Sequence, residues 1–177
     1  MIDLSVIRDL VTIFGVIAGF TYYALTVRNA NIARKTQVVM NISQNLFRAD
    51  TNLMNIEILS MDWENFGDFR RKYDSTVNPE SFSRRWQIWQ LYENIGYMLH
   101  QRIVDIETIY NMIGPTSILQ FWYKFQPIFM EQRRLYDEPH WFRWTEYLVN
   151  EIMRYRASIG LSETSTLPEI DGYTAET

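Results

Sequence analysis

Leu10 to Val27 form an uninterrupted run of 18 residues without a charged side chain, LVTIFGVIAGFTYYALTV. A helix that spans the hydrocarbon core of a bilayer needs roughly 20 mainly apolar residues, within a range of about 17 to 25. A helix in a protein core seldom stays apolar on every face over such a length. The run therefore predicts a transmembrane helix at 10–27, with residues 1–9 as a short segment outside the cytoplasm.

A cleavable signal peptide and a buried core helix are the two alternative interpretations of this run. A signal peptide begins with a basic region, whereas Asp3 and Asp9 accompany Arg8 here. The apolar run exceeds the usual ~7 to 15 residues of a signal peptide, and no small-x-small cleavage site precedes Arg28. The membrane anchor is favoured over both alternatives.

Basic residues near the ends of the run predict its orientation, because Lys and Arg are enriched on the cytoplasmic side of a span. Only Arg8 precedes the run, and three bases follow it. We expect the N-terminus outside and the remaining chain in the cytoplasm, at the plasma membrane. The residues expected to anchor the helix at the cytoplasmic interface are Tyr22, Tyr23, Arg28, Arg34 and Lys35.

Small residues line one side of the predicted span. Gly15 and Gly19 form a small-xxx-small pair, and Thr12 and Thr26 continue roughly the same stripe. In lipid, such a stripe lets two helix backbones approach closely. Self-association and contact with another membrane subunit are both compatible with it, and so is the absence of any role.

The region after the span has helical spacing throughout. Neither Gly nor Pro occurs between Phe20 and Phe66, so we expect one helix to run from the membrane to about Ser60. Its apolar seam covers fewer than the ~3 heptads that indicate a coiled coil, which favours packing in a bundle over a dimer seam. The seam consists of Val39, Ile42, Leu46, Ala49, Leu53 and Ile56.

Capping and turn residues predict five further helical segments, with Asp62, Asn78 and Asp105 as the N-caps of three of them. Pro127 predicts a kink or break near Tyr123–Gln126. No segment alternates with a period of two, so the fold class is all-α, a transmembrane helix that continues into a cytoplasmic helical bundle at 28–158. The segments are expected from Asp62 to Tyr73, Asn78-Pro79 to Arg102, Asp105 to Ile113, Pro115 to Tyr136 and Pro139 to Ser158.

The segment that starts at Pro79 carries apolar side chains on nearly every face, so we expect it at the centre of the domain. Glu93 lies on its aromatic side. A buried carboxylate must be paired or protonated, which predicts a polar network of Glu93 with Arg102 or Arg133, or a bond to a Tyr or Trp donor. A catalytic role for Glu93 is the alternative.

Charge and composition exclude several classes of function. The net charge of -4 comes from the acids of the tail, Glu163, Glu169, Asp171 and Glu176, and the rest is balanced, so no general nucleic-acid footprint is present. The tail, 159–177, is expected to be disordered. With no Cys and only His100 and His140, the sequence predicts no metal site, no cofactor and no catalytic residue.

Three basic clusters recur in the predicted bundle: Arg70-Arg71-Lys72, Arg84-Arg85 and Arg133-Arg134. Bases that face a bilayer attract anionic headgroups, at about 1 kcal/mol each. A solvated face balanced by neighbouring acids is the favoured interpretation.

Three stretches carry a resemblance: TYYALTVRNANIARKTQ, YENIGYMLHQRIVDIETIYNMIG, and FWYKFQPIF followed by WFRWTEYLVNEIMRYR. Together, from about Phe14 to Arg156, they resemble a family of small prokaryotic, notably archaeal, membrane-anchored helical proteins of unknown function. The resemblance implies one N-terminal span followed by a compact helical domain, with a Glu like Glu93 and an Arg stretch like Arg133-Arg134. It implies no activity, substrate or cofactor.

The combined features favour a non-enzymatic accessory or scaffold subunit that binds protein partners at the membrane. Its expected partners are the lipid bilayer and either a second copy or another membrane protein, and no nucleic acid. A membrane-bound sensor that binds a small ligand in an aromatic-lined pocket is the alternative. A hydrolase that uses Glu93 is a remote third interpretation.

Overall fold

The computed structural model describes residues 4–162, and within that range the chain folds into seven helices without a strand. The predicted all-α class is confirmed. The predicted disordered tail lies outside the described residues from residue 163 onward. The helices are α1 (Leu4–Leu46), α2 (Ala49–Ser60), α3 (Phe66–Tyr73), α4 (Pro79–His100), α5 (Ile106–Ile113), α6 (Pro115–Tyr136) and α7 (Arg143–Ser158).

The chain divides into two units, Met1–Met40 and Asn41–Thr177. The first unit consists of most of α1, and its described side chains are exposed from Leu4 to Gln37. The hydroxyls of Thr12, Thr21 and Thr26 donate to carbonyls four residues earlier, at 2.9, 2.9 and 2.8 Å. These polar groups are therefore satisfied within the helix and need no water.

The prediction of a single helix to Ser60 is wrong, because α1 ends at Leu46 and a second helix, α2, begins at Ala49. Arg48 is extended, with ψ at 142°, and its side chain pairs with Asp50 in the first turn of α2 at 3.1 Å. Ile42 and Ile58 would face about 160° apart on one straight helix of 3.6 residues per turn. The break allows both to be buried, at 7% and 0% exposure.

The break also divides the apolar seam. Ile42 and Leu46, before the break, are buried, whereas Leu53 and Ile56, after it, are 65% and 66% exposed. The seam is therefore not one continuous stripe, and its second half forms an outer face of α2.

Local capping fixes the starts of α3 and α4. Asn65, not the expected Asp62, caps α3, and its side-chain oxygen accepts from the backbone N–H of Asp68 at 3.0 Å. Asn78 caps α4 as predicted, with a bond of 3.1 Å from the N–H of Ser81, and Pro79 occupies the first helical position.

The middle of the chain follows the predicted order with one difference. Asp105 caps α5 by accepting from the N–H of Thr108 at 2.8 Å, as expected. Of the kink or break expected in α6, the break does not occur, because the helix continues through Pro127. Pro127 has no N–H to donate to the Tyr123 carbonyl. Both residues lie on the exposed side of α6, so this carbonyl is not shut away from solvent in the core.

The sequence predicted that the last helix begins at Pro139. In the structure, α7 begins four residues later, at Arg143. Phe142 precedes it in the left-handed region, with φ of 54°. This conformation is unfavourable for an aromatic residue. It is compensated by burial, because the Phe142 ring packs on Phe129 and Trp89 with centroids 4.5 and 5.3 Å apart.

The core is centred on α4, as predicted. Ile88, Tyr92 and Ile95 are buried on one side of α4, and Trp89 is buried on the other. Trp89 contacts Phe125 and Phe129 of α6 edge to face, with centroids 5.3 and 4.8 Å apart. The central helix therefore holds together elements that precede and follow it in sequence.

Candidate functional site

The predicted membrane-packing residues lie on an open helix face. Thr12, Gly15 and Gly19 are exposed, and a Cβ added at either glycine would meet no atom within 4 Å. Their spacing places them within a sector of about 60° on a helix with 3.6 residues per turn. A second helix therefore has room to approach this face closely.

The apolar part of α1 is long enough to cross a bilayer. An 18-residue window within it has a mean hydropathy of 1.8, and none of that window is buried in the structure. The absence of burial argues against the core-helix alternative. Phe14 and Phe20 are 69% and 73% exposed, so most of the surface of each side chain is left uncovered by the described residues.

The residues predicted to anchor α1 at the membrane interface come directly after, or at the end of, its apolar run. Tyr22 and Tyr23 are 74% and 68% exposed. Among the described residues, Arg28, Arg34 and Lys35 form no salt bridge with an acid. A shallow groove runs along this face of α1, with Tyr23 and Val27 beside Arg28 and Lys35. Aromatic, apolar and basic groups therefore occur together on one side of the helix.

Glu93 has a different partner from the one expected. Its carboxylate accepts from the backbone N–H groups of Trp144 and Thr145, at 3.2 and 2.8 Å, and from the Thr145 hydroxyl at 2.8 Å. These are free N–H groups of the first turn of α7, where the helix dipole favours a negative charge. The side chain of Phe142, the N-cap residue of α7, forms no capping hydrogen bond. Glu93, which belongs to α4, caps α7 instead.

Gly96 completes this junction one turn later on α4. A Cβ at position 96 would lie 1.9 Å from the Trp144 carbonyl oxygen and 2.5 Å from its carbon. Only glycine allows the two backbones to come this close. We refer to Glu93 and Gly96, with Trp144 and Thr145, as the α4–α7 clasp.

The predicted network of Glu93, Arg102 and Arg133 does not form. Arg133 donates to the Trp141 carbonyl at 2.7 Å and pairs with Glu146 at 2.8 Å. Arg102 is exposed in the turn after α4, with φ of 56°. The sequence indicated a buried carboxylate, but backbone donors satisfy it, and backbone donors leave no side-chain signature.

The two histidines lie in different settings. His100 contacts the Trp144 and Tyr147 rings, with centroids 4.3 and 5.4 Å away. His140 is exposed in the loop before α7. Among residues 4–162, no group of three or more His, Asp or Glu side chains is arranged to hold a metal ion.

A polar feature that the sequence reasoning missed lies at Arg85. The sequence placed Arg84-Arg85 in a basic cluster, but the two side chains diverge. Arg84 pairs with Glu57 and Glu80 at 3.0 and 2.7 Å, whereas Arg85 is only 2% exposed. The signal was available, because Arg85 lies three residues after Phe82 and four before Trp89, on the same helix face.

A cavity of about 320 Å³ adjoins Arg85. Trp86, Tyr136 and Trp141 contribute aromatic walls, and Gln132 contributes a polar one. The helical unit thus contains an aromatic-lined pocket with a buried cation beside it.

Comparisons with family models, with curated proteins and with solved structures return no match for this chain.

Proposed function

We propose that this chain is a single-pass plasma-membrane protein whose helical domain binds a protein partner as a non-enzymatic accessory or scaffold subunit. One observation carries the proposal. The apolar side chains of α1 are exposed over the length of a bilayer span, while the helical domain buries a core of apolar side chains between its helices. Burying each Leu-, Ile- or Phe-sized side chain is worth about 1.5–3 kcal/mol, which favours an apolar phase around α1.

The proposed orientation follows from the bases that flank the span. Arg28, Arg34 and Lys35 belong to the cytoplasmic side, and Arg8 is the one base on the other. Their positive charges have no acidic partner among the described residues, so anionic headgroups of the inner leaflet are suitable counter-charges. The helical domain then lies in the cytoplasm and the N-terminus outside.

Partner binding is supported by the outer face of α2. Ala49, Leu53 and Ile56 occur at i, i+4 and i+7, and all three are exposed. The side chains of Leu53 and Ile56 are 65% and 66% exposed. Adjacent large apolar residues of this kind mark interaction surfaces more often than isolated ones do.

Co-purification from mild detergent tests the subunit function. The full chain should retain a stoichiometric partner of different sequence. Leu53→Ser with Ile56→Ser should release it, and Val77→Ser, at a single exposed apolar residue with 59% exposure, should not. Recovery of a homodimer alone, or of the same complex from the double variant, would contradict the proposal.

The small-residue stripe supplies a separate test of self-association. Replacing Gly15 and Gly19 with Ile should weaken helix–helix association in a membrane reporter assay about fivefold, or about 1 kcal/mol. An unchanged signal would exclude a dimer through this stripe, and the stripe would then be free for another subunit or for lipid.

The second candidate function is a membrane-bound regulator that binds a small ligand. The pocket beside Arg85 favours it, because aromatic walls with a few polar groups are typical of ligand sites.

A further inference from the structure

Arg85 is a buried cation with an incomplete set of partners. It is 2% exposed, and its Nη1 donates to the Tyr73 carbonyl at 3.0 Å. Its guanidinium carbon lies 4.6, 5.1 and 4.9 Å from the ring centroids of Phe69, Phe82 and Trp89. Its Nε is buried and has no hydrogen-bond acceptor in the described part of the chain.

No carboxylate forms a salt bridge with Arg85 in the described part of the chain. The salt bridges among residues 4–162 involve other bases. Asp74, the acid whose charge acts on Arg85, pairs with Arg70 at 3.4 Å and accepts from the Thr76 N–H at 3.2 Å. Burial lowers the pKa of Arg85 to about 10, so the side chain stays charged at neutral pH. A buried charge without a directly paired counter-ion is unfavourable until an anion joins it.

The adjoining cavity has the size and the walls of a ligand site. At about 320 Å³ it is at the lower end of the ~300–1,000 Å³ typical of such sites, or about ten water-sized volumes of ~30 Å³. Trp86, Tyr136 and Trp141 line it. Arg70 and Asp74 line it too, and their opposite charges pair with each other. Gln132 also lines it, and its Oε1 is buried without a donor. One unpartnered donor and one unpartnered acceptor therefore belong to residues of the same cavity.

We propose that this cavity binds a small aromatic carboxylate. The carboxylate pairs with the Arg85 guanidinium, whose planar N–H groups match two carboxylate oxygens. The ring lies among the aromatic walls, where offset and edge contacts add to apolar burial. A hydroxyl on the same molecule donates to Gln132 Oε1. The site gives the ligand class for the second candidate function, on which it rests, and it is independent of membrane anchoring.

Wild-type protein in detergent micelles supplies the first test, by ligand-observed NMR titration. 4-Hydroxybenzoate should bind in a saturable way, with a Kd below about 5 mM, which is within reach of a ligand of this size. 4-Hydroxybenzamide has the same shape without the charge and should bind at least tenfold more weakly. Inorganic phosphate has the charge without the ring and should also bind at least tenfold more weakly.

Three outcomes of this titration would overturn the proposal. Equal binding of the acid and the amide would remove the role of Arg85. Equal binding of phosphate would remove the role of the aromatic walls. Absence of saturable binding by 4-hydroxybenzoate would remove the site. None of these outcomes depends on a variant that has to fold.

The Arg84-Arg85 pair provides matched variants for the second test. Arg85→Lys keeps the charge but loses the planar donor arrangement, and should raise the Kd for 4-hydroxybenzoate at least tenfold. Arg84→Lys changes the neighbouring arginine, which is not among the cavity residues, and should leave the Kd within twofold. If Arg85→Lys does not fold, Gln132→Leu, at a half-buried position, should raise the Kd at least threefold. An unchanged Kd in the folded cavity variant would contradict the proposal.

Membrane flotation of the same variants separates this site from the anchoring proposal. Arg85→Lys should float with membranes as wild type does, because α1 is unchanged. Loss of ligand binding with retained flotation supports the site. Loss of both would mean that Arg85→Lys disrupts the structure as a whole, and the titration of Gln132→Leu then decides the site: a raised Kd supports it and an unchanged Kd contradicts it.

Discussion

The two units of this protein use the same residue types in opposite ways. Phe14, Ile17 and Phe20 of α1 are 69%, 56% and 73% exposed, whereas Phe125, Phe129 and Ile152 of the helical domain are 0% exposed. The domain buries these apolar side chains among its own helices, through contacts centred on α4. The described residues of the first unit, from Leu4 on, bury no apolar side chain against one another, so the apolar surface of this unit needs a partner outside it. The difference indicates that one unit folds on its own side chains and the other depends on its surroundings.

Charges placed in the middle of α1 should have the largest effect on this contrast. Ile13→Lys with Ile17→Lys should abolish carbonate-resistant membrane flotation, since each Lys at a span centre costs about 2.5–3.5 kcal/mol. Leu53→Lys with Ile56→Lys adds the same charge to an exposed face of α2 and should leave flotation unchanged. Retained flotation of the α1 variant would remove the distinction between the units.

The second-largest difference between the units should be the effect of a Gly→Ala substitution on stability. Gly96→Ala places a Cβ 1.9 Å from the Trp144 carbonyl oxygen and forces α4 and α7 apart. Overpacking of this kind costs about 3 kcal/mol, measured by chemical denaturation in detergent. Gly15→Ala meets no atom within 4 Å and should not lower stability. Equal effects of the two substitutions would contradict the close approach at the α4–α7 clasp.

Removing the charge of Glu93 should lower the unfolding free energy less than adding a Cβ at Gly96 does. Glu93→Gln keeps one acceptor but turns an amide N–H₂ towards donors of α7, and should cost about 1–2 kcal/mol of unfolding free energy. Glu107→Gln in the exposed first turn of α5 serves as control and should cost only about 0.3 kcal/mol. If Glu93→Gln were as mild as the control, Glu93 would not be the cap of α7.

The smallest of these effects should be the loss of stability of the helical domain at low pH. Lys72, at 2.8 Å, and the Glu64 N–H, at 3.2 Å, bond to Asp68 and hold its pKa below the usual 3.8. A lowered folded-state pKa adds stability that is complete above pH 3.8 and is lost as the pH falls below it. The difference in unfolding free energy between wild type and Asp68→Asn should therefore shrink below about pH 4. A constant difference from pH 7 to pH 2 would contradict this role for Asp68.

The sequence predicted those parts of the fold that depend on local patterns. Asn78-Pro79, Asp105 and Gly114-Pro115 define helix ends by their own chemistry, and the structure has those ends there. The break before Arg48 was not predictable in this way, because it arises from the need to bury both Ile42 and Ile58. The sequence also left a kink and a break at Pro127 equally open, since only the fold shows that Tyr123 is exposed and that the lost bond is tolerable there.

The candidate sites show the same limit. The sequence predicted a buried Glu93 that needs partners, and the side chain is half-buried. Its partners were not predictable, because they are backbone N–H groups 51 and 52 residues away. The cavity at Arg85 requires α3, α4, α6 and the loop before α7 to come together. Only the helical spacing of Phe82, Arg85 and Trp89 indicated it in advance.

The location of α1 is tested most directly by single-cysteine labelling, because the chain has no cysteine of its own. Ile17→Cys lies in the middle of the proposed span, and Ser83→Cys lies at an exposed position of α4. In permeabilised native membranes, a water-soluble maleimide should label Ser83→Cys quickly. It should label Ile17→Cys only after the membrane has been dissolved and the protein denatured. Labelling of Ile17→Cys in the intact bilayer as fast as Ser83→Cys would contradict the account of α1 as a membrane anchor.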